Sequence, residues 1–84
     1  MKTITAGKMI QRRAAELGAA SASEVARRMR ALGCEVSRQA VAAWFRGHSS
    51  PSGERLSVLL DVLALEGGAR RDMAAAIALS GGRG

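Results

Sequence analysis

Glycine residues divide this chain into short segments. Gly18, Gly33 and Gly47 each follow a stretch of apolar side chains at helical spacing, and a glycine pair at 67–68 follows a leucine-rich stretch. A glycine just after such a stretch is typical of a helix end. No strand-like run of β-branched and aromatic residues occurs between the glycines. The 84 residues are therefore predicted to form one all-α domain, a compact bundle of five short helices.

The first helix is predicted over residues 6–17, with Thr3 or Thr5 as the cap of its first turn. Apolar residues at helical spacing form its buried stripe, which consists of Ile10, Ala14 and Leu17. Its basic side chains are expected to be solvated; these are Lys8, Arg12 and Arg13. The ordered part of the domain is expected to extend from about residue 4 to about residue 80.

The second helix is predicted to begin after Ser21 and to end near Leu32. Ser21 and Glu24 have the spacing of a capping box, in which the serine oxygen accepts from the Glu24 amide and the Glu24 carboxylate reaches back. Gly33 ends this helix, and Val36 is the apolar anchor of the turn that follows. The buried stripe is predicted to consist of Val25, Ala26, Met29 and Leu32.

The segment 36–47 has the most informative pattern in the chain. When it is placed on a helix at about 100° per residue, one side is apolar and consists of Ala40, Val41 and Trp44. The opposite side has no acidic residue and consists of Arg38, Gln39, Ala42, Ala43 and Arg46. Arg and Gln have paired groups that match the edges of guanine and adenine, and a methyl group can touch thymine. This third helix is therefore predicted to enter the major groove of DNA.

The last two helices are the most apolar. Ser52 is predicted to cap the fourth, with Glu54 near its positive end. The fourth helix carries two apolar stripes, which are Leu56, Leu59, Leu60 and Leu63 on one side and Val58, Val62 and Leu65 on the other. A helix apolar on two sides needs two covers, here the core and either the last helix or a second subunit. The fifth helix is predicted over residues 70–79, with Met73 and Ile77 as anchors, before a frayed tail over 81–84.

The charge of the chain indicates a polyanionic partner. Thirteen Lys and Arg against seven Asp and Glu give a net charge of +6, and eleven of the thirteen are Arg. Arginine is suited to bidentate phosphate and base contacts; the alternative is that the positive charge only aids solubility. One Cys and one His exclude an internal disulfide and a zinc site within one chain. No apolar run reaches the length of a membrane span, so we expect a cytoplasmic protein with no cofactor and no small-molecule substrate.

Several short motifs follow one another in a characteristic order. They are Ser-Ala-Ser-Glu-Val-Ala at 21–26, Val-Ser-Arg-Gln-Ala-Val at 36–41, Trp-Phe-Arg-Gly at 44–47, Pro-Ser at 51–52 and a leucine-rich run from 54 to 60. In this order and spacing they resemble the Cro and phage-repressor (XRE) family of helix-turn-helix DNA-binding proteins. The resemblance implies five helices of which the second and third read DNA, and a dimer on a palindromic operator.

The resemblance also implies a set of DNA-contacting residues. It places Val36, Val41 and Trp44 on the core side of a recognition helix at 37–46, and Ser37, Arg38, Gln39, Ala42, Ala43 and Arg46 on its DNA side. From their places in the chain, His48 and Ser49 are predicted to be loop residues near a phosphate, with simple exposure as the alternative. Ser21, at the start of the second helix, is also predicted to contact DNA. Two departures stand out. The path from Ala26 to Val36 is longer than is usual in the family, which predicts an extended second helix. Ala22 stands where the family often has a phosphate-touching glutamine.

We predict sequence-specific binding of double-stranded DNA by a single domain over 1–84. Its expected role is transcriptional repression, of the phage or mobile-element type, by a homodimer that occupies an operator and associates through the fourth and fifth helices. The principal alternative is an antitoxin-like protein partner whose DNA binding is secondary. A homeodomain-like module, suggested by Trp44-Phe45, is opposed by Gly47, which stands where that family has its adenine-reading Asn. An enzyme is not expected, because Cys34 and His48 lack a third orienting residue.

Overall fold

The computed structural model describes residues 5–81, which form five α-helices and no strand. The helices are α1 (Ala6–Glu16), α2 (Ala22–Ala31), α3 (Arg38–Arg46), α4 (Gly53–Val62) and α5 (Gly67–Gly81). α3 packs against α1 and α2, α4 packs against α2, and α5 covers α1 and α4. The predicted all-α bundle of five helices is confirmed. The alternative cap Thr3 and residues 82–84 of the predicted tail lie outside the described range.

Three of the predicted helix caps are made by side-chain oxygens. Each accepts a hydrogen bond from a main-chain amide that has no partner within its own helix. The bonds are Lys8 N to Thr5 Oγ1 at 3.2 Å, Glu24 N to Ser21 Oγ at 3.1 Å, and Ala40 N to Ser37 Oγ at 3.1 Å. Ser52 is the N-cap residue of α4, at the predicted position and in an extended conformation, but its side chain makes no capping hydrogen bond.

The core is built from one face of every helix. Its largest fully buried side chains are Ile10, Met29, Leu59, Leu63, Ile77, Val25 and Val41. In the stripes predicted for the first two helices, two residues are not buried: Leu17 is half-buried, and Leu32 is 57% exposed. Both are the residues that follow the last helical turn, where the chain has already left the helical path. Beyond α2, the core is filled instead by Cys34 and Val36.

The turn between α2 and α3 is fixed at both ends. α2 ends at Ala31, so the turn comprises residues 32–37. Cys34 N donates to Met29 O at 3.0 Å, and Arg30 Nη1 donates to Val36 O at 3.0 Å. These bonds satisfy main-chain oxygens near the end of one helix and the start of the next. The longer path that the sequence indicated is thus ordered by its own hydrogen bonds and by the burial of Cys34 and Val36.

α4 and α5 are joined by an arginine. α5 begins at Gly67, three residues before the predicted start, so that the glycine pair forms its first turn. Arg70 Nη1 donates to Asp61 Oδ1 at 2.8 Å, and Arg70 Nη2 lies 3.4 Å from Ser57 O. Met73 and Ile77 are buried as predicted. No helix within residues 5–81 is long and apolar enough to cross a membrane.

Arg13 is not solvated as the sequence suggested. Its Nε donates to Leu63 O at 2.9 Å, its Nη2 lies 3.4 Å from Ala64 O, and its Nη1 pairs with Glu16 Oε1 at 3.0 Å. The side chain is half-buried between α1 and the end of α4. The residue spacing within α1 gave no sign of this contact, because the partner oxygens belong to a distant part of the chain.

Candidate nucleic-acid interface

Packing on two sides holds α3 in place. Val41 is fully buried and Trp44 is 4% exposed, and both belong to the core. Ser37 begins the helix in an extended conformation, and Gly47 ends it in the left-handed conformation at φ +79°. The predicted core side of this helix is confirmed, together with Val36, which is buried just before it. Ala40 is half-buried.

The opposite side of α3 carries the residues that the sequence singled out. Ser37, Arg38, Gln39 and Arg46 are exposed, and Ala42 and Ala43 are half-buried. α3 contains no acidic residue. Within residues 5–81, neither Arg38 nor Arg46 has a side-chain hydrogen bond or an ion pair. Five of these residues share one helix surface, which combines two arginine guanidinium groups, one amide and two methyl groups. Ser37 stands apart from them as the cap of the helix, where its Oγ accepts from Ala40 N.

The other predicted phosphate neighbours lie at the ends of helices. His48 and Ser49 are exposed in the loop after α3, and His48 N donates to Ala43 O at 2.9 Å. Ser21 is exposed at the start of α2, where its Oγ accepts from Glu24 N at 3.1 Å. The first-turn amides of a helix are suitable donors to an anion such as phosphate.

A close approach between main chains joins α1 to α3. Gly7 is buried, and a Cβ atom built on it would lie 2.5 Å from Trp44 O and in still closer contact with Phe45 O. Only a residue without a side chain allows the first turn of α1 to rest on the last turn of α3. The sequence signal was a glycine inside a helical pattern, but nothing in it indicated which helix Gly7 would touch.

An open cleft lies between these two helices, with a volume of about 530 Å³. Its lining consists of Lys8 and Gln11 from α1, the cap residue Thr5 that precedes α1, and Ala42, Phe45 and Arg46 from α3. Ala42 and Arg46 belong to the predicted DNA side of α3. The cleft is therefore continuous with the candidate interface and is lined in part by α1, which the sequence did not indicate.

Glu24 is at the centre of an ion-pair cluster on α2. Its carboxylate pairs with Arg27 Nη2 at 2.7 Å and with Arg28 Nε at 3.0 Å. The predicted return of this carboxylate to the main chain of Ser21 is replaced by these two contacts. Hydrogen bonds from Arg27 and Arg28 hold the pKa of Glu24 below its usual value of 4.5.

The basic side chains therefore fall into two groups. Arg13, Arg27 and Arg28 donate to protein acceptors, so part of their hydrogen-bonding capacity is used within the fold. Lys8 and Arg12 of α1 are exposed, like Arg38 and Arg46 of α3. The side chains most available to an external anion thus include those on the outer side of α3 and along α1.

Comparison with protein-family models gives one match. A model described as Helix-turn-helix matches residues 21–67, more than half of the chain. The chain belongs to the Cro and phage-repressor (XRE) type of helix-turn-helix family. The match contains α2, the turn, α3 and α4. No curated protein and no solved structure gives a match.

Family membership assigns the helix-turn-helix protein to DNA-binding transcription regulators. α2 and α3 are its helix-turn-helix pair, and α1 and most of α5 lie outside the matched residues. Cys34 and His48 are the two residues considered in the sequence as a possible nucleophile and base. They lie in different environments, since Cys34 is buried and His48 is exposed. Within residues 5–81 no group of three or more His, Cys, Asp and Glu residues is arranged to hold a metal ion.

Proposed function

We propose that this helix-turn-helix protein binds a specific sequence of double-stranded DNA, with residues 37–46 as the recognition helix in the major groove. The outer face of α3 is the observation that carries the proposal. Its three long polar side chains, Arg38, Gln39 and Arg46, are exposed, and no acid on the same helix repels a polyanion. The inner face is buried, so the orientation of this surface is fixed by the core.

The proposed binding combines two kinds of contact, to DNA phosphates and to base edges. Contacts to phosphates position the protein and supply affinity, whereas contacts to base edges supply the choice of sequence. Ser21, His48 and Ser49 are proposed phosphate neighbours. Arg38, Gln39 and Arg46 are proposed to reach base edges, and Ala42 and Ala43 allow close approach because their side chains are single methyl groups. A bidentate contact from Arg or Gln discriminates between bases by about 1–3 kcal/mol.

The proposed regulatory mechanism is repression by occupancy of an operator, in the manner of phage and mobile-element repressors. We propose a homodimer on a palindromic site, joined through α4 and α5. Leu79 of α5 is 80% exposed, and the second stripe of α4 is only half-buried; both would gain from a second cover. The longest extent of the domain is 36 Å. Half-sites one helical turn apart are separated by about 34–36 Å, so the two recognition helices of the proposed dimer are expected at that separation.

A direct binding measurement tests the proposal. The purified protein is titrated with duplex DNA taken from just upstream of its own gene and with a scrambled duplex of the same composition, at two salt concentrations. We expect a preference for the native sequence of about a thousandfold or more that persists at moderate salt. Equal binding to both duplexes, lost as salt rises, would mean that positive charge alone is responsible.

The exposure of Leu79 also favours a second candidate function, an antitoxin-like complex with another protein. In that case the apolar surface of α4 and α5 would be covered by the product of a neighbouring gene. Analytical ultracentrifugation of the protein alone and after co-expression with that product separates the two cases. A stable heterologous complex would favour the second function, and a homodimer that ignores the neighbouring product would favour the first.

A further inference from the structure

We propose that the cleft between α1 and α3 binds the sugar–phosphate backbone of the DNA, with Lys8 as a phosphate contact. This inference rests on the proposed function, since it extends the same interface. It adds α1, which lies outside the residues matched by the family. Lys8 was expected from the sequence only to be solvated.

The lining of the cleft complements a DNA backbone in charge. Lys8 stands on one wall and Arg46 on the other, and no acidic residue is among the six that line the cleft. Thr5 and Gln11 add polar groups on the side of α1. The Lys8 side chain is exposed and makes no hydrogen bond or ion pair within the described part of the chain. Its charge is therefore available to an external anion.

The cleft also contains an apolar part. Phe45 and Ala42 lie on the side of α3, and both are half-buried. A DNA backbone presents anionic phosphates separated by less polar deoxyribose rings. A cleft lined by both cationic groups and apolar carbons fits this alternation.

The cleft is continuous with the recognition face of α3. Ala42 and Arg46 belong to both surfaces, so a strand that follows the edge of the major groove would pass from one to the other. The main-chain contact of Gly7 with Trp44 and Phe45 fixes the position of α1 beside this edge. Lys8 follows Gly7 within the same helix, so its position relative to α3 is fixed by this contact and its charge lies at the same edge.

The salt dependence of binding tests the role of Lys8. Each phosphate contact contributes about −0.9 to the slope of log affinity against log salt concentration. We expect Lys8→Gln to make that slope less steep by about 0.9, and to weaken binding equally for the native and scrambled duplexes. Lys8→Arg, which keeps the charge, should retain the wild-type slope.

Arg71→Gln is the matched control, since it removes the same charge from an exposed residue of α5, away from the cleft. Because α5 is also proposed to join the dimer, sedimentation is used to verify that this variant has the oligomeric state of wild type. We expect it to leave the slope within experimental error of wild type. Between about 50 and about 200 mM salt, wild type should lose about threefold more affinity than Lys8→Gln. Circular dichroism and thermal unfolding of each variant confirm that it is folded.

Two results separate the failure of this inference from the failure of the proposed function. If wild type prefers its native sequence and Lys8→Gln has the same slope as Arg71→Gln, the cleft proposal is overturned and the recognition helix is unaffected. If wild type shows no preference for any natural duplex, the proposed function falls and the cleft proposal falls with it.

Discussion

The Nε atom of Arg13 donates a hydrogen bond of 2.9 Å to the main-chain oxygen of Leu63, 50 residues further along the chain. The same guanidinium group lies 3.4 Å from Ala64 O through Nη2. Both oxygens lie at the end of α4, where main-chain carbonyls have no amide donor within the helix. A cationic donor at this position also interacts favourably with the negative end of the helix dipole. Arg13 thus ties α1 to the end of α4.

Removal of this link should lower the stability of the whole domain. We expect Arg13→Ala to reduce the free energy of unfolding by about 1.5–3 kcal/mol, the range for a hydrogen bond with a charged partner. Arg13→Lys should recover less than half of the loss, because one ammonium group cannot reproduce the planar fork of donors. Urea unfolding measures both values. Arg12→Ala, on the exposed neighbour, should change stability by less than about 0.5 kcal/mol; a similar loss at both positions would contradict the role of Arg13.

The contact of Gly7 with α3 leads to a prediction whose sign is unusual. Alanine is normally the better helix former by about 1 kcal/mol, yet Gly7→Ala would place a methyl group against the main-chain oxygens of Trp44 and Phe45. We expect a net loss of stability of about 1–3 kcal/mol, measured by thermal and urea unfolding. Gly68→Ala in α5 is the control, since a methyl group there would meet nothing within 4 Å. It should stabilise the protein, and stabilisation at both positions would refute the close approach.

Ala64 has a backbone conformation that favours glycine. Its φ is +54°, and it is the only residue other than glycine in the described chain with a positive φ. We expect Ala64→Gly to raise the free energy of unfolding by about 0.5–1 kcal/mol, because the steric strain of a Cβ atom in this region is removed. Gly47→Ala, at φ +79°, makes the reverse change and should destabilise. Chemical denaturation of both variants decides the matter, and a loss of stability in Ala64→Gly would contradict the prediction.

The ion pairs of Glu24 predict how stability depends on pH. Hydrogen bonds from Arg27, and then from Arg28, lower the pKa of Glu24 in the folded protein. Glu24 therefore stabilises the fold above pH 4.5, and this stabilisation is lost as the pH falls through the lowered pKa. We expect Glu24→Gln to have a lower melting temperature than wild type at about pH 7. The gap should close as the pH falls below 4.5. The double variant Arg27→Gln, Arg28→Gln should abolish the part of the pH dependence of the melting temperature that comes from Glu24. A gap that stays constant over this range would exclude the ion pairs as its cause.

Gln39 is the side chain on α3 that is expected to read a base directly. We expect Gln39→Ala to cost about 1–3 kcal/mol of binding energy on the native site and to relax the preference at one base pair. The measurement is a titration against the native duplex, the scrambled duplex and single-base variants. An equal loss of affinity for the native and scrambled duplexes would show that Gln39 contributes only to general binding. Folding should be unchanged, because Gln39 is exposed.

Much of the fold follows from local signals in the sequence. The caps at Thr5, Ser21 and Ser37 and the stops at Gly18, Gly33 and Gly47 depend on residues next to one another in the chain, and each was predicted. The two faces of α3 follow from helical spacing alone, which is why Val41 and Trp44 were assigned to the core.

The features that sequence did not reveal are contacts between distant segments. Arg13 was expected in solvent because its acceptors lie on another helix, and Leu32 was expected in the core because the end of α2 was placed one residue too late. Gly7 and the cleft beside it require the packing of α1 on α3, which no local pattern specifies. The residues proposed to contact DNA were all named from α3 and the loops, so Lys8 was missed for the same reason.

The contact at Gly7 has a consequence for how such a protein can acquire a new target. The position of α3 is set by main-chain atoms and by buried side chains, none of which belong to its outer face. Arg38, Gln39 and Arg46 can therefore be exchanged without disturbing the framework that holds them. If α3 reads DNA as proposed, the preferred DNA sequence can be changed by substitutions at these few exposed positions while the fold that supports them is retained.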